Sequence, residues 1–304
     1  MEPVLVANGL RRRFGDVNAL DGLSLEVLPG ELYGLVGPDG AGKTTTMRIF
    51  AGLMDPDEGT VHVLGSNPTD RRSGVREELG YMPQQYSLYG DLSVIENLRF
   101  FGALFCLERD VFIERTNRLL AITHLESFRD RRAEALSGGM YKKLALACAL
   151  LHQPRVLLLD EPTNGVDPIS RGELWELLYE FVESGMGVVV STPYMDEASM
   201  CHRVGLIHRG RLLQQGRPAD LVGRFVDTVI RVDRHDSGIE AVIAEHGDVI
   251  LGVSPLGGGL RIVIRSQAAD AVAEALRGAG ATIEPVRPGF EDMFLSEIRA
   301  GGGT

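Results

Sequence analysis

The segment "GPDGAGKTT", residues 37–45, places the strongest constraint on how this chain folds. It follows the apolar run "ELYGLV" (31–36), which predicts a buried strand, and it leads into residues with helical spacing. Three glycines allow a tight turn in which successive N–H groups point at one anion. A helix that begins at Lys43 directs its dipole to the same point. The strand–loop–helix order predicts a phosphate-binding loop and argues against a glycine-rich turn that matches by chance.

The side chains of residues 37–45, hereafter the phosphate loop, fit a nucleoside triphosphate. We expect Lys43 to bridge the β- and γ-phosphates and the hydroxyl of Thr44 to bind Mg²⁺. Lys43, Lys142 and Lys143 are the only lysines among 31 basic residues, so a lysine at position 43 indicates a need for its compact ammonium group. The predicted nucleotide-binding residues of the loop are Gly37, Pro38, Asp39, Gly40, Ala41, Gly42, Lys43, Thr44 and Thr45.

Two adjacent carboxylates end a second apolar run, "RVLLLDE" (155–161). The run predicts a strand, and ligands bind at the carboxyl ends of strands in α/β sheets. We expect Asp160 to hold Mg²⁺ and Glu161 to polarise a water molecule for attack on the γ-phosphate. Alone, such a pair could be a solvated acidic end of a strand. Its presence in one chain with the phosphate loop favours the catalytic interpretation.

A second candidate anion site lies in "ALSGGM" (135–140), just before the helical segment "YKKLALACALL". Ser137, Gly138 and Gly139 could present N–H groups at the start of that helix. The alternative is ordinary helix capping by the hydroxyl of Ser137. One chain with two phosphate-binding turns about 100 residues apart raises the question of which phosphate the second one binds.

The order of predicted elements indicates an α/β fold with a largely parallel sheet in the first two-thirds of the chain. Continuous apolar runs predict strands covered on both faces. These runs are "ELYGLV" (31–36), "YMP" (81–83), "RVLLLD" (155–160), "GVVVST" (187–192) and "RVGLIH" (203–208). Alternating polarity in "LDGLSLEV" (20–27) and "GTVHVLG" (59–65) predicts a half-exposed antiparallel layer, and residues 93–124 are expected to be mainly helical.

The character of the sequence changes after residues 216–225. The segments that follow are predicted in the order β-α-β-β-α-β, the split pattern of a ferredoxin-like α+β module, and a short helix, "FEDMFLSEI", closes it. We therefore predict a first domain over residues 1–222, with a helical part at about 88–152, and a small accessory domain over residues 223–300.

Composition excludes some classes of function. The net charge of −11, from 31 basic and 42 acidic residues, argues against nucleic-acid binding that depends on broad attraction to phosphate. No apolar run approaches the roughly 20 residues that span a bilayer. The first residues, "MEPVLVANGLRRRFG", lack the apolar centre of a signal peptide. Any role at a membrane is therefore expected to require a separate partner chain.

Five motifs, in this order, resemble those of the ATP-binding cassette (ABC) ATPases over residues 3–220. "GPDGAGKTT" resembles the Walker A motif, "YMPQ" the Q-loop, "LSGGM" the signature motif, and "VLLLDEPTNGVDP" the Walker B motif with the D-loop. "GVDPISR" and the terminal "GFEDMFLSEI" are similar to ATPase subunits of ABC-2-type exporters, including the drug-resistance type. The resemblance implies a P-loop (RecA-like) core with an antiparallel β subdomain and a helical subdomain that carries the signature.

ABC ATPases act as head-to-tail dimers, and the resemblance implies an answer for the second anion site. Each ATP lies between the phosphate loop of one subunit and the signature motif of the other. Ser137, Gly138 and Gly139, with Met140 next to them, would then act on the γ-phosphate of the ATP held by the second subunit. Asp167 would lie across the dimer interface.

Two further roles follow from the resemblance, and two positions depart from the commonest family pattern. Gln84 is expected to sense Mg²⁺ and the attacking water. Phe14 resembles the aromatic residue that stacks on adenine, with an ordinary core or strand-end phenylalanine as an equal alternative. Asp39 stands where asparagine is frequent, and its charge near phosphates leads us to expect a side chain that points away. Met140 replaces a glutamine that is peripheral to the phosphate contact, so little loss is expected.

Pro193 is the third departure, because the family usually has a histidine there that hydrogen-bonds the γ-phosphate. Proline has neither a side-chain donor nor a backbone N–H. The nearest histidine, His202, would lie roughly 13 Å further along if residues 194–202 were helical, so it is not an obvious substitute. Because Glu161 and the rest of the site are intact, we expect ATP binding and dimer closure to be kept and hydrolysis to be slowed.

The resemblance implies an ATP-hydrolysing motor subunit of a membrane exporter, peripheral on the cytoplasmic face, with ATP and Mg²⁺ as its ligands. Its expected partners are an integral-membrane permease subunit and a second ATP-binding subunit, identical or different; no nucleic acid is expected. Residues 85–105 would meet the permease through Tyr86, Leu88 and Tyr89, unless these pack in the core. Two alternatives remain: a degenerate regulatory module paired with a catalytically complete ATPase, and a non-transport ABC protein.

Overall fold

The computed structural model describes residues 2–85 and 88–301. The chain divides into two compact units, residues 1–215 and 216–304. The domain boundary predicted near residue 222 lies a few residues after this division, within the helix Pro218–Gly223 of the second unit. Each unit has a sheet and a hydrophobic core of its own.

The first unit has the predicted α/β fold. Its main elements, in chain order, are β1 (Leu5–Phe14), β2 (Val17–Val27), β3 (Leu32–Val36), α1 (Lys43–Phe50), β4 (Glu58–Val63), β5 (Leu79–Met82), α2 (Val94–Leu104), α3 (Arg109–Thr123), α4 (Gly138–Leu150), β6 (Val156–Asp160), α5 (Pro168–Glu183), β7 (Gly187–Thr192), β8 (Arg203–His208) and β9 (Arg211–Gly216). One sheet has the order β5-β6-β7-β3-β8-β9, and its pairs from β5 to β8 are parallel. Strands β3, β6 and β7 are buried at every residue, as their continuous apolar runs predict.

Strands β1 and β9 were not among those predicted from the sequence. The register of β1 shifts between Ala7 and Leu10, around Gly9, which has a φ of 59°. Bulges of this kind break the alternation from which a strand is predicted. β9 follows β8 through a two-residue turn at Arg209 and Gly210, and it has no fully buried side chain. Its sequence therefore carries little hydrophobic signal.

A second sheet, with the order β2-β1-β4, is antiparallel, as the alternating polarity of β2 and β4 predicts. Its buried leucines, such as Leu5 and Leu23, join one cluster with Met47 and Phe50 of α1. Full burial of each such side chain contributes roughly 1.5–3 kcal/mol. This cluster fixes α1, and the phosphate loop is held at both ends because it connects the buried strand β3 to that helix.

Helices α2, α3 and α4 occupy the segment that was predicted to be helical. α2 begins with a capping box, in which Ser93 Oγ accepts from the N–H of Glu96 (3.3 Å) and the Glu96 carboxylate accepts from the N–H of Ser93 (2.8 Å). In α4, most side chains after the second turn are buried, whereas Ser137 and Gly138 at its start are exposed. The signature residues therefore stand at the exposed end of a buried helix.

The second unit is an α+β module. Its elements are α6 (Pro218–Gly223), β10 (Thr228–Val232), α7 (Ser237–Glu245), β11 (Ile250–Leu256), β12 (Gly259–Ile264), α8 (Ala269–Gly278), β13 (Ile283–Pro285) and α9 (Phe290–Gly301). The four strands form an antiparallel sheet with the order β11-β12-β10-β13, which is the ferredoxin-like arrangement. α9 lies close to β11, since a Cβ atom at Gly252 would be 2.8 Å from Cδ1 of Leu295.

The helices of both units are of ordinary length for a globular protein. α5 has 16 residues and α3 has 15. Over residues 2–85 and 88–301, no helix combines the length and the apolar composition that crossing a bilayer requires.

Candidate functional site

The carboxyl ends of β3, β7 and β6 meet at one edge of the parallel sheet, with β7 between the other two. The N–H of Gly37, just after β3, donates to the carbonyl oxygen of Thr192 at the end of β7 (3.2 Å). The hydroxyl of Ser191 donates to Oδ1 of Asp160 at the end of β6 (2.6 Å). β7 therefore joins the phosphate loop to the two carboxylates, at the edge where α/β sheets bind ligands.

The phosphate loop wraps closely, as its glycine spacing predicts. A Cβ atom at Gly37 would lie 2.2 Å from the carbonyl oxygen of Ile207, and one at Gly42 would lie 2.5 Å from that of Ala19. Gly42 also has a φ of 109°, in the region that favours glycine. It is the N-cap of α1, and a glycine has no side chain that could accept from the first N–H groups of the helix. These N–H groups are available to an anion.

Lys43 is almost fully buried, with 3% of its side chain exposed. Its ammonium donates to the carbonyl oxygens of Gly37 (2.9 Å) and Pro38 (3.1 Å) and lies 3.2 Å from Oε1 of Glu161. The side chain of Asp39 is exposed, yet its Oδ1 lies 3.7 Å from Nζ of Lys43. The expectation that this side chain points away from the phosphates stays a prediction, since the side chain is 90% exposed but remains within ion-pair distance of Lys43.

Asp160 is fully buried at the end of β6. Its Oδ1 accepts from the hydroxyls of Ser191 (2.6 Å) and Thr44 (3.2 Å), whereas Oδ2 has no hydrogen-bond partner among the described residues. Burial raises the pKa of Asp160, and the two hydroxyl donors oppose that rise. A buried carboxylate oxygen left open beside a threonine hydroxyl fits a divalent cation that prefers oxygen ligands.

Glu161 follows directly and has a φ of 50°, in the left-handed region. This conformation costs a residue other than glycine about 1–2 kcal/mol. The N–H of Glu161 donates to the carbonyl oxygen (3.1 Å) and the hydroxyl (3.2 Å) of Ser191, which stabilises the strained backbone. Strain of this kind concentrates at functional sites. Here it places the Glu161 carboxylate on the wall of a cavity of about 280 Å³ that the phosphate loop also lines.

Two side-chain amides hold the carboxylate of Glu161. Nε2 of Gln84 (2.8 Å) and Nδ2 of Asn164 (3.2 Å) both donate to Oε2. Gln84 was singled out in the sequence, and the structure brings it to Glu161. Asn164 was quoted only as part of a motif. An amide three residues after a carboxylate at a strand end is the signal that could have found it.

Lys142 is a second residue of the site that sequence reasoning did not assign. It lies in α4, and its ammonium donates to the carbonyl oxygens of Gln84 (3.0 Å) and Glu161 (3.4 Å). Burial lowers the pKa of Lys142, and the carboxylates of Glu161 and Asp160 oppose that change. The rarity of lysine in the chain is the signal that could have drawn attention to it. Val17 and Ala19 also line the cavity, but nothing distinguishes them in the sequence.

The signature residues form a group of their own at the start of α4. Ser137 is the N-cap, and its Oγ accepts from the N–H of Met140 (3.3 Å). The capping interpretation of Ser137 is therefore realised in this structure. Gly138 is exposed, and a Cβ atom there would have one close neighbour, the carbonyl oxygen of Gly165 at 3.2 Å.

The start of α4 lies against the start of α5. A Cβ atom at Gly139 would be 2.4 Å from Oγ of Ser170, so the two helix ends approach as closely as glycine permits. Asp167 is the N-cap of α5, where its Oδ1 accepts from the N–H groups of Ile169 (3.1 Å) and Ser170 (3.0 Å). These bonds, first of all the one from Ser170, lower the pKa of Asp167. Asp167 thus fixes the turn between Glu161 and α5.

Phe14 lies at the end of β1. It is 44% exposed, and the guanidinium of Arg12 is 5.0 Å from the centre of its ring. Phe14 is therefore a strand-end residue outside the core, and the alternative of an ordinary strand-end phenylalanine stays open. Its contact with adenine stays a prediction.

Pro193 follows β7 directly, and the residues on either side of it are tied together. The hydroxyl of Thr192 donates to Oε2 of the buried Glu197 (2.5 Å) and accepts from the N–H of Tyr194 (3.0 Å). The next residues, Met195–Met200, form a 3₁₀ helix. The chain therefore keeps a fixed path through the position at which the sequence lacks a histidine.

His202 does not stand in for the missing histidine. Its Nδ1 accepts from the N–H of Leu32 (3.0 Å), and its own N–H donates to the carbonyl oxygen of Leu32 (2.9 Å). Leu32 is the first residue of β3, and the phosphate loop follows the last one. His202 therefore lies at the opposite end of the strand.

Comparison with known proteins agrees with this geometry. The family model described as "ABC transporter" matches residues 20–164. The probable multidrug ABC transporter ATP-binding protein YbhF of Escherichia coli is 39% identical over 313 aligned residues, which cover 100% of this chain and 53% of that protein. The chain thus spans about half the length of that relative. The Nod factor export ATP-binding protein I of Cupriavidus metallidurans is 40% identical over 223 residues, 73% of this chain and 74% of that protein.

Solved structures give the same result. An ATP-binding subunit of an ABC transporter superposes with a TM-score of 0.67 at 29% identity, over 73% of this chain and 93% of that one. The ATP-binding cassette MJ0796, in a dimeric post-hydrolysis state with ADP and Pi, superposes with a TM-score of 0.64 at 25% identity, over 70% and 98%. The resemblance stated from the motifs is confirmed, and with it the α/β fold with the P-loop core. This chain belongs to the ATP-binding subunits of ABC transporters.

Proposed function

We propose that this chain is the ATP-hydrolysing motor subunit of an exporter, with residues 1–222 as its ATP-binding domain and residues 223–300 as an accessory domain. The observation that carries the proposal is the buried cluster of Lys43, Asp160 and Glu161 beside the phosphate loop. The names of the two relatives, one a probable multidrug transporter protein and the other a Nod factor export protein, support an export role. Their substrates are not transferred to this chain.

The substrate in this proposal is ATP with Mg²⁺. The N–H groups of the phosphate loop and of the first turn of α1 bind the phosphates. Lys43, which now contacts Glu161 at 3.2 Å, turns to the β- and γ-phosphates and so releases that carboxylate. Thr44, Asp160 and Gln84 are the residues that would hold Mg²⁺. When bound, the cation neutralises charge that develops on the transferred phosphoryl group.

For hydrolysis, the released carboxylate of Glu161 accepts a hydrogen bond from the attacking water and takes its proton as the reaction proceeds. The water oxygen forms a bond to the γ-phosphorus while the bond to the β-phosphate oxygen breaks, which yields ADP and phosphate. Gln84 and Asn164 keep the carboxylate in place through their bonds to Oε2. Phe14, exposed at the end of β1, is the candidate for the adenine contact.

We infer that two subunits meet head to tail. The exposed Ser137 and Gly138 are then presented to an ATP that a second subunit holds, and Asp167 lies at the same surface. The dimeric state named for the cassette MJ0796 supports this arrangement. The second subunit is either another copy of this chain or a different ATP-binding subunit.

The permease is proposed to contact residues 85–105. Tyr89 is 47% exposed and packs edge-on against Phe100 with ring centres 4.6 Å apart, and Leu104 is 62% exposed. These exposed apolar side chains support a contact with a membrane subunit at the cytoplasmic face. Tyr86, which the sequence also singled out, lies outside the described residues.

An ATPase assay of the purified chain tests the proposed reaction. We expect wild-type turnover well above that of Glu161→Gln, because only the wild type has a proton acceptor at Glu161. Restoring one phosphate donor with Pro193→His should raise kcat, by up to about 10²–10³-fold if it acts as strongly as an oxyanion donor. Both variants should bind ATP as the wild type does.

Two results would contradict the proposal in different ways. If wild-type turnover equalled that of Glu161→Gln, the site would not hydrolyse ATP. The chain would then be a regulatory module paired with a complete ATPase, the alternative that Pro193 raises. An unchanged kcat in Pro193→His would mean that the role of the histidine does not transfer to this chain. Co-purification with a polytopic membrane protein separates a transporter subunit from a soluble ABC protein.

A further inference from the structure

Tyr194, the residue after Pro193, is held firmly beside the site. Its N–H donates to the hydroxyl of Thr192 (3.0 Å), and the guanidinium of Arg171 lies 4.5 Å from the centre of its ring. Arg171 in turn lies 3.6 Å from Oε1 of Glu197, which is buried. The guanidinium over one face of the ring favours one ring orientation, and so one position of the hydroxyl.

That hydroxyl reaches the side chain of Asn164. The oxygen of Tyr194 lies 3.4 Å from Oδ1 of Asn164, and Nδ2 of Asn164 lies 3.2 Å from Oε2 of Glu161. The two contacts determine which way the amide faces. An ionised carboxylate only accepts hydrogen bonds, so the nitrogen must face Glu161, and the oxygen is then free to accept from the tyrosine.

We propose that Tyr194 is a positioning residue for hydrolysis, and that it acts through Asn164 to hold the carboxylate of Glu161. The inference rests on the role proposed above for Glu161. Without the tyrosine hydroxyl, the nitrogen of Asn164 still faces Glu161, but nothing in this pair of contacts holds the amide oxygen, so the amide can swing away from the carboxylate. A longer or lost hydrogen bond from Nδ2 then leaves the carboxylate of Glu161 less firmly placed.

The contacts from Tyr194 through Asn164 to Glu161 also bear on the role of Pro193. The proline removes a donor to the phosphate but keeps the next residue in place, since the path from Thr192 to Tyr194 is fixed by one hydroxyl. Gln84 and Asn164 supply two neutral donors to one oxygen of Glu161. The chain therefore orients its catalytic carboxylate from the side of Tyr194, even though it lacks the histidine contact to the phosphate.

The test is a double-mutant cycle on the full chain with ATP and Mg²⁺, measuring kcat, KM and ATP binding. Tyr194→Phe removes only the hydroxyl, and we expect kcat to fall about fivefold with KM unchanged, as for the loss of one hydrogen bond. Asn164→Ala should lower kcat by at least as much. In the Asn164→Ala background, Tyr194→Phe should have no further effect, because its partner is gone.

Tyr179→Phe is the matched control. The hydroxyl of Tyr179 donates to the carbonyl oxygen of Met200 (2.7 Å), so its loss tests a tyrosine hydrogen bond that does not reach Glu161. The control should keep the wild-type kcat. An unchanged kcat in Tyr194→Phe, or losses that simply multiply in the double variant, would overturn the inference while Glu161→Gln remained inactive. If the wild type itself matched Glu161→Gln, the proposed function would fail instead.

Discussion

The first unit has two candidate anion sites at helix starts, and they differ in their N-cap residue and in where the nearby lysine is directed. At α1, the N-cap is a glycine, and the buried ammonium of Lys43 lies within the loop. At α4, the N-cap is Ser137, which is exposed and whose oxygen already accepts from the N–H of Met140. The first lysine of α4 is Lys142. Its ammonium donates to the carbonyl oxygens of Gln84 and Glu161, in the site beside the phosphate loop.

This difference indicates which phosphate each of the two sites is suited to bind. A triphosphate needs a cation and several donors, and α1 supplies both within one loop. The start of α4 offers donors and a helix dipole, but its nearby ammonium is directed to the other site. It therefore suits a phosphate whose charge is already neutralised by another phosphate loop. This is a physical reason to assign Ser137 to ATP held by a second subunit.

The largest effect is expected from breaking the site at α1. Lys43→Met should weaken ATP binding by about 10²–10³-fold, because the phosphates lose a desolvated charge-assisted contact worth about 3–4 kcal/mol. Binding of a fluorescent ATP analogue to the purified chain measures the change. Lys143→Met is the matched control, since the ammonium of Lys143 pairs with Glu173. Wild-type affinity in Lys43→Met would contradict the assignment of the phosphate loop.

The cluster that this variant breaks was largely predictable from the sequence, and the reason is local. Residues 37–45 are contiguous, and their glycines determine the backbone path. Asp160 and Glu161 are fixed at the end of an apolar run whose strand is unambiguous. Strands β2 and β4 were likewise predictable from their alternating polarity, and the four strands of the second unit from the order of its apolar segments.

The remainder depends on contacts between distant segments. Asn164 lies in the turn before α5 and Lys142 lies in α4, and both contact Glu161. Hydrophobic periodicity predicts helices and strands, but it does not predict which side chains of distant segments meet. β1 was missed since its bulges interrupt the alternation.

An intermediate effect is expected from the start of α4. Ser137→Ala should leave ATP binding to the single chain unchanged and lower kcat by about 10–10²-fold, since a lost hydrogen bond to a charged phosphate costs about 1.5–3 kcal/mol. Steady-state hydrolysis at high protein concentration measures it. Asp236→Ala is the control for the lost cap, because Asp236 caps α7 in the second unit. If both variants lowered kcat equally, the serine would act as a cap alone.

The smallest effect tests the link between the two sites. Lys142 extends from α4, whose start is proposed to face the second ATP, and donates to the carbonyl oxygens of Gln84 and Glu161 in its own site. Lys142→Met should lower kcat about fivefold with unchanged ATP affinity, near 1 kcal/mol of positioning. Lys142→Arg keeps the charge and should recover part of the lost kcat. If Lys142→Met instead weakened ATP binding without changing kcat, Lys142 would act in phosphate binding, as the phosphate loop does. A selective loss of kcat would mean that α4 serves both ATP sites, one through its start and the other through Lys142.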